Sequence, residues 1–159
     1  MKITAQEEYG LRILLRIARA SNSDGLTIPE ISEAEGLSTH NVAKLCRILR
    51  LAGFIRSSRG KTGGYMLKRS PEEIRLDEVL EVLGGRLFSD NFCKNHAGTK
   101  RFCSNSKECS VRYLWQIIQN SVDNVLKHIT LHDRLVFKHS LTDKQIPKNT
   151  APEKVTWMS

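Results

Sequence analysis

Between Thr27 and Gly53 the chain carries two helix beginnings and two helix ends, so close together that only a pair of short packed helices can satisfy them. Thr27-Ile28-Pro29-Glu30 offers a capping hydroxyl, a proline tolerated in the first turn and a glutamate placed to complete a capping box. Gly36 ends that helix, Ser38 caps the next, and Gly53 supplies its C-terminal stop. In the second helix Val42, Leu45, Leu49 and Ala52 recur at helical spacing and form a buried stripe. Two short helices joined through Gly36-Leu37 are the signature of a helix-turn-helix. Thr39, His40, Asn41, Lys44 and Arg47 fall off the stripe near the N-terminal end, where a recognition helix meets base edges.

After Gly53 the pattern changes. Phe54 to Ser58, then Arg59-Gly60-Lys61-Thr62-Gly63-Gly64, then Tyr65-Met66-Leu67 read as strand, glycine-rich turn and strand, which is a wing. A hairpin tip with three glycines lets Arg59 and Lys61 approach a phosphate backbone closely and reach a minor groove. The same glycines do not make a nucleotide-binding phosphate loop, because the lysine comes too early and no helix follows. Charge points the same way. From Gly36 to Pro71 there are eight bases and no acid, which equals the net charge of +8 for the whole chain. A surface that faces phosphates gains from excluding acids, since each neutralised phosphate releases counterions. Double-stranded DNA is the partner this segment implies, and the reading unit lies between about Thr27 and Arg69.

The rest of the 159 residues leaves room for one compact domain and a helical arm. Tyr9 to Ala20 reads as an amphipathic helix through Leu11, Leu14, Leu15 and Ala18, and another helix runs around Leu76 to Leu83 before Gly84-Gly85. Arg86 to Cys109 is polar and aperiodic. A long helix is expected from about Ser110 to His132, its stripe formed by Val111, Leu114, Trp115, Ile118, Val122, Val125 and Ile129. That is too much apolar surface for a lone arm, so it reads as a homodimer interface. The expected organisation is a winged helix-turn-helix over 1–83, a cysteine-bearing loop over 84–109, a dimerisation helix over 110–135 and a disordered tail over 136–159, rich in Lys, Pro, Thr and Asn. The fold class is mainly α with a small β-hairpin wing. No apolar run approaches a membrane span, and acids stand where a signal peptide would carry bases, so a cytoplasmic protein without membrane association is expected. No nucleophile-base pair or cofactor fingerprint supports an enzyme.

Cys46 lies near the buried stripe of the second helix and reads as a small core residue. Cys93, Cys103 and Cys109 are spaced C-x9-C-x5-C among Lys94, Lys100, Arg101 and Lys107, whose charge favours thiolates. Three thiols are an odd number for a disulfide framework, and a metal or cluster site is the better reading. Zinc and an iron-sulfur cluster both suit thiolates, although the tight C-x2-C knuckle of structural zinc is missing and the wide loop wraps something larger more comfortably. A fourth ligand is then needed: His96, a carboxylate from elsewhere or an exogenous species. Three function readings follow: a DNA-binding regulator controlled by a cluster, a DNA-binding regulator with a zinc or thiol-redox site, and a cluster carrier or redox protein whose basic segment grips an acidic partner.

Several segments, in order, resemble the Rrf2 superfamily of bacterial winged-helix transcription regulators, in its iron-sulfur-binding branch. They are Met1-Lys2-Ile3-Thr4 with Tyr9-Gly10-Leu11-Arg12, Ile28-Pro29-Glu30-Ile31, the Leu49-to-Gly53 helix end, Arg59-Gly60 with Gly63-Gly64-Tyr65, Ser70 to Ile74, and three cysteines before a long helix. The resemblance covers about Met1 to Leu135. It implies a homodimeric repressor or activator with a winged helix-turn-helix, a crossed dimerisation helix and, as in the cysteine-bearing members, a cluster that controls DNA affinity in response to iron-sulfur status, redox stress or nitric oxide. Members with a histidine ligand carry it three residues after the last cysteine, and here that residue is Arg112. Members with an acidic ligand place it just before the Tyr9 position, from where it reaches the other subunit's cluster, and Glu8 stands there. The implied ligand set is Cys93, Cys103, Cys109 and Glu8. The first cysteine interval exceeds the family's usual one and leaves 4Fe-4S and 2Fe-2S clusters both open, with a lean to the former.

Overall fold

A computed structural model describes residues 3–20, 24–58, 63–86, 88 and 109–136. The expectations for Arg59, Lys61, Cys93, His96, Cys103 and the tail beyond 136 fall outside the described residues. The chain is mostly helical: α1 (Ala5–Arg19), α2 (Ile28–Glu35), α3 (Thr39–Leu51), strands β1 (Ile55–Ser58) and β2 (Gly64–Leu67), a short 3-10 turn (Pro71–Glu73), α4 (Leu76–Gly84), α5 (Ser110–Leu126) and α6 (Leu131–Val136).

The local chemistry of the helix-turn-helix is as the sequence implies. Thr27 and Glu30 form a reciprocal capping box, Thr27 N donating to Glu30 Oε2 at 2.7 Å and Glu30 N to Thr27 Oγ1 at 3.4 Å. Gly36 ends α2 at φ 66°, a left-handed conformation in which a side chain is strained, so the turn into α3 depends on glycine. Ser38 caps α3 through the Asn41 amide at 3.3 Å. Val42, Leu45, Cys46 and Leu49 are buried, each stabilising the head by roughly 1.5–3 kcal/mol where it is a large apolar side chain. They meet Ile13, Leu14 and Ile17 of α1, Ile31 of α2, Phe54, Ile55 and Ile74, and Val79 and Leu83 of α4 in one core. α1 begins at Ala5 rather than Tyr9, because Thr4 and Glu7 form a capping box of the same kind, Thr4 N donating to Glu7 Oε2 at 2.8 Å.

β1 and β2 pair antiparallel with Ile55 opposite Leu67 and Ser58 opposite Gly64. Leu26 adds an isolated bridge to Tyr65, so the chain entering α2 braces the hairpin from outside. Gly64 is required at that point: a Cβ there would lie 2.5 Å from the Asp24 carbonyl oxygen.

The sequence pattern extends one helix from Ser110 to His132, and the structure divides it. α5 stops after Leu126, and a capping box between Thr130 and Asp133 starts α6 as a separate helix, Thr130 N donating to Asp133 Oδ2 at 2.7 Å and Asp133 N to Thr130 Oγ1 at 3.3 Å. The intervening backbone is satisfied by the head instead of by helix: Leu76 N donates to Ile129 O at 2.9 Å and Leu131 N to Ile74 O at 2.8 Å. Ile129 therefore leaves the arm's stripe and packs against the head core, and Leu131 is fully buried within it. The head draws on residues beyond 83.

Candidate nucleic-acid interface and cysteine region

Thr39, His40, Asn41, Lys44 and Arg47 are all exposed, on the side of α3 away from its buried stripe. The Ser38 cap fixes the first turn that carries Thr39, His40 and Asn41, so three short hydrogen-bonding side chains project from the N-terminal end of the helix. Lys44, Arg47 and Arg50 continue that exposed face. On the wing, Ile55 is buried while Arg56 and Ser57 are exposed. The root of the wing is fixed by Ser58 Oγ, which donates to Asp24 O at 2.6 Å and accepts from Gly64 N at 2.9 Å. Arg59 and Lys61 fall between the two strands in sequence, outside the described residues.

Arg50, Arg56 and Lys68 are exposed bases of the same segment that the sequence reading counted without assigning to the interface. The signal was available in the acid-free run itself. Arg69 behaves differently: its guanidinium lies 5.0 Å from the centre of the Phe54 ring and 3.1 Å from Glu78 Oε2, which ties it to the head.

The last acid before the basic segment, Glu35, is kept off this face. Arg12 Nε meets Glu35 Oε2 at 3.0 Å, Arg16 Nε meets Glu35 Oε1 at 2.7 Å, and Arg12 also donates to the Glu35 backbone carbonyl at 2.8 Å. The Glu35 side chain is only 9 % exposed. Tyr9 lies beneath the same Arg12, ring centre to guanidinium 5.7 Å.

Of the four residues expected to hold a cluster, two are described. Cys109 is the N-cap of α5, its Sγ accepting from the Arg112 amide at 3.3 Å. Glu8 is exposed in the first turn of α1. It lines a groove of about 850 Å³ between α1, α4 and the C-terminal half of α5, with Ile3, Leu11, Leu80, Val122 and Val125. Twelve or thirteen residues separate Ser121 and Val122, on that groove, from Cys109, about 20 Å along a helix. Among the described residues no group of three or more metal-ligating side chains gathers in one chain. Cys46 is buried in the core as expected, and burial pushes its thiol up to about 11, which keeps it protonated and unreactive.

The exit of the cysteine region from α4 is tied to the middle of α5. Phe88 N donates to Gln119 Oε1 at 3.0 Å, Gln119 Nε2 donates to Asp123 Oδ1 at 2.7 Å, and Asp123 pairs with Arg86. Gln119 is the one buried residue of α5. The stripe expected to form a homodimer interface is largely open in the single chain, with Val111 at 60 %, Leu114 at 52 %, Trp115 at 40 % and Val125 at 62 % exposed. No helix among the described residues is long and apolar enough to cross a membrane.

A helix-turn-helix whose second helix bears an exposed polar and basic face, followed by a basic hairpin, defines a winged-helix DNA-binding protein. The chain belongs to the Rrf2 family, whose model, described as an iron-dependent transcriptional regulator, matches residues 3–136. It is 30 % identical over 133 residues to the HTH-type transcriptional regulator CymR of Bacillus subtilis, covering 84 % of this chain and 88 % of that protein. It is 28 % identical over 137 residues to the HTH-type transcriptional regulator NsrR of Bacillus licheniformis, covering 84 % and 91 %. The solved structure of T. potens IscR superposes with a TM-score of 0.66 at 28 % identity, covering 86 % of this chain and 87 % of that one. The protein is accordingly a transcriptional regulator of the DNA-binding kind.

Proposed function

We propose that this regulator is a homodimer whose operator affinity is controlled by an iron-sulfur cluster held by Cys93, Cys103 and Cys109 of one copy and Glu8 of the other. Recognition would come from Thr39, His40, Asn41, Lys44 and Arg47 on α3 and from Arg59 and Lys61 at the wing tip. The observation that carries the ligand assignment is the position of Glu8. It shares a groove with the C-terminal half of α5, whose Ser121 and Val122 lie about 20 Å along the helix from the Cys109 of the same chain. That separation favours a bond from Glu8 to a cluster on the Cys109 of another copy. Two α5 helices packed antiparallel through their open stripes would bring the N-terminal end of one beside the groove of the other. The Cys109 sulfur, backed by the Arg112 amide, suits a bound iron. A bound cluster would supply chemistry sensitive to oxidants and nitric oxide. The chain's own part is to tie α1 of one copy to the cysteine region of its partner, so that loss of the tie changes the spacing of two recognition helices.

The resemblance to CymR, the global cysteine regulator of B. subtilis, favours a second reading in which the cysteines serve a thiol or zinc site. Iron, zinc and acid-labile sulfide are measured in anaerobically purified protein. Iron and sulfide in matching amounts are expected, with a visible spectrum that shifts and fades faster in Glu8→Ala and is little changed in His96→Ala. Zinc without sulfide would establish the second reading. A spectrum indifferent to Glu8 and altered by His96→Ala would place the fourth ligand inside the loop.

A further inference from the structure

We infer that Glu35, gripped by Arg12 and Arg16, is the positioning residue that sets the recognition helix for sequence-specific binding. This rests on the DNA-binding reading but not on the cluster. Glu35 is the last residue of α2, directly before the Gly36 turn into α3. A carboxylate at that end of a helix opposes the helix dipole, and one that is nine-tenths buried also loses water. Neither cost is relieved within α2, which has no base in its last turn. Both are relieved by α1, whose Arg12 and Arg16 lie one helical turn apart and engage one carboxylate oxygen each, at 3.0 and 2.7 Å. Arg12 also holds the Glu35 backbone carbonyl, so the grip fixes main chain as well as side chain.

A small ionic cluster of this kind, its carboxylate buried and its two arginines part-exposed, contributes little net stability compared with apolar packing, and its best-attested use is to select one arrangement among several. The arrangement selected here is the approach of α1 to the end of α2, and hence the direction in which the Gly36 turn launches α3. The grip also hides the acid that immediately precedes the basic segment. Released, the Glu35 carboxylate would stand beside the turn, at the edge of a segment that otherwise excludes negative charge.

The test compares wild type with Glu35→Gln, Glu35→Asp and Arg16→Met in the full chain, purified anaerobically. The probes are a duplex enriched from a random pool by the wild-type protein and a shuffled duplex of the same composition. Thermal unfolding is followed in parallel, and binding is measured well below every midpoint. Positioning requires that the ratio of affinities for enriched and shuffled duplex falls about tenfold in Glu35→Gln. Glu35→Asp keeps the charge but is too short to meet both arginines, and its ratio should fall as well. If Glu35→Gln instead binds both duplexes more tightly with the ratio unchanged, Glu35 acts only as a charge and the inference is wrong. A lowered midpoint with normal binding in all three variants would reduce the grip to a structural staple and also overturn it. Failure of the wild type to enrich any duplex would remove the DNA-binding reading itself, which separates that failure from this one.

Discussion

α3 and α5 are amphipathic helices of comparable pattern and opposite fate. In α3 the stripe Val42, Leu45, Cys46 and Leu49 is closed over by α1, α4 and the wing. In α5 the stripe Val111, Leu114, Trp115 and Val125 stands open, and the one buried residue is the polar Gln119. Periodicity specifies that a helix has an apolar face, and it does so equally for both. What covers that face depends on whether other elements of the same chain can reach it. α3 is short and is followed at once by the wing, so its neighbours are its own. α5 is anchored at its C-terminal end by the Ile129–Leu131 connection to the head, and in its N-terminal half Val111, Tyr113, Leu114, Trp115 and Ile117 all stay exposed.

The contrast breaks if the two helices respond alike to substitution. Leu49→Ala should have the largest effect, destabilising the fold by about 2–5 kcal/mol, because it opens a cavity in a core that cannot collapse around it. Chemical unfolding reads this, and the loss should be the same at every protein concentration. Leu114→Asp combined with Val125→Asp should leave the head folded, since both positions are exposed in the single chain. The protein should instead become monomeric by sedimentation and lose on the order of 100-fold in affinity for a duplex with two half-sites, the advantage of linked heads being gone. A folded dimer with normal binding would show that the open stripe is not the interface.

The smallest effect sharpens the comparison at the junction between arm and head. Hydrogen bonds from the Thr130 backbone and side chain hold the Asp133 carboxyl below its ordinary value, and Thr27 does the same for Glu30. A lowered folded-state value contributes stability at neutral pH that is lost as pH falls through the folded value. Thr130→Ala and Thr27→Ala should each lower the thermal midpoint modestly at pH 7, with the gap to wild type narrowing as the carboxyls protonate. A gap of constant size down to strongly acid pH would detach these caps from titration.

The helix-turn-helix was legible because each of its boundaries is written locally: Thr27 with Glu30, Gly36, Ser38 and Gly53 are signals read within one turn. The same signal at Thr4 and Glu7 went unread because apolar spacing, which starts later, was followed instead. The break after Leu126 was harder. Thr130 and Asp133 spell a cap, yet Ile129 keeps the arm's spacing, and only the carbonyl of Ile74 and the amide of Leu76, distant in sequence, decide between one helix and two. The Arg12–Glu35–Arg16 grip was invisible for the same reason. Nothing within α1 or α2 alone says that the arginines of one turn toward the last residue of the other.

Leu131 gives the order of synthesis a structural meaning. It is among the fully buried side chains of the head, and Ile129 flanks it against the same core, yet both are translated after the cysteine region and after the whole of α5. The contact between Ile74 and Leu131 closes a long loop, which makes it entropically late as well as late in emergence from the ribosome. A fragment ending at Gly84 would be a head with a wall missing, exposing apolar surface where Leu131 belongs. The nascent chain thus completes its reading head only once the parts that would govern it have already been made.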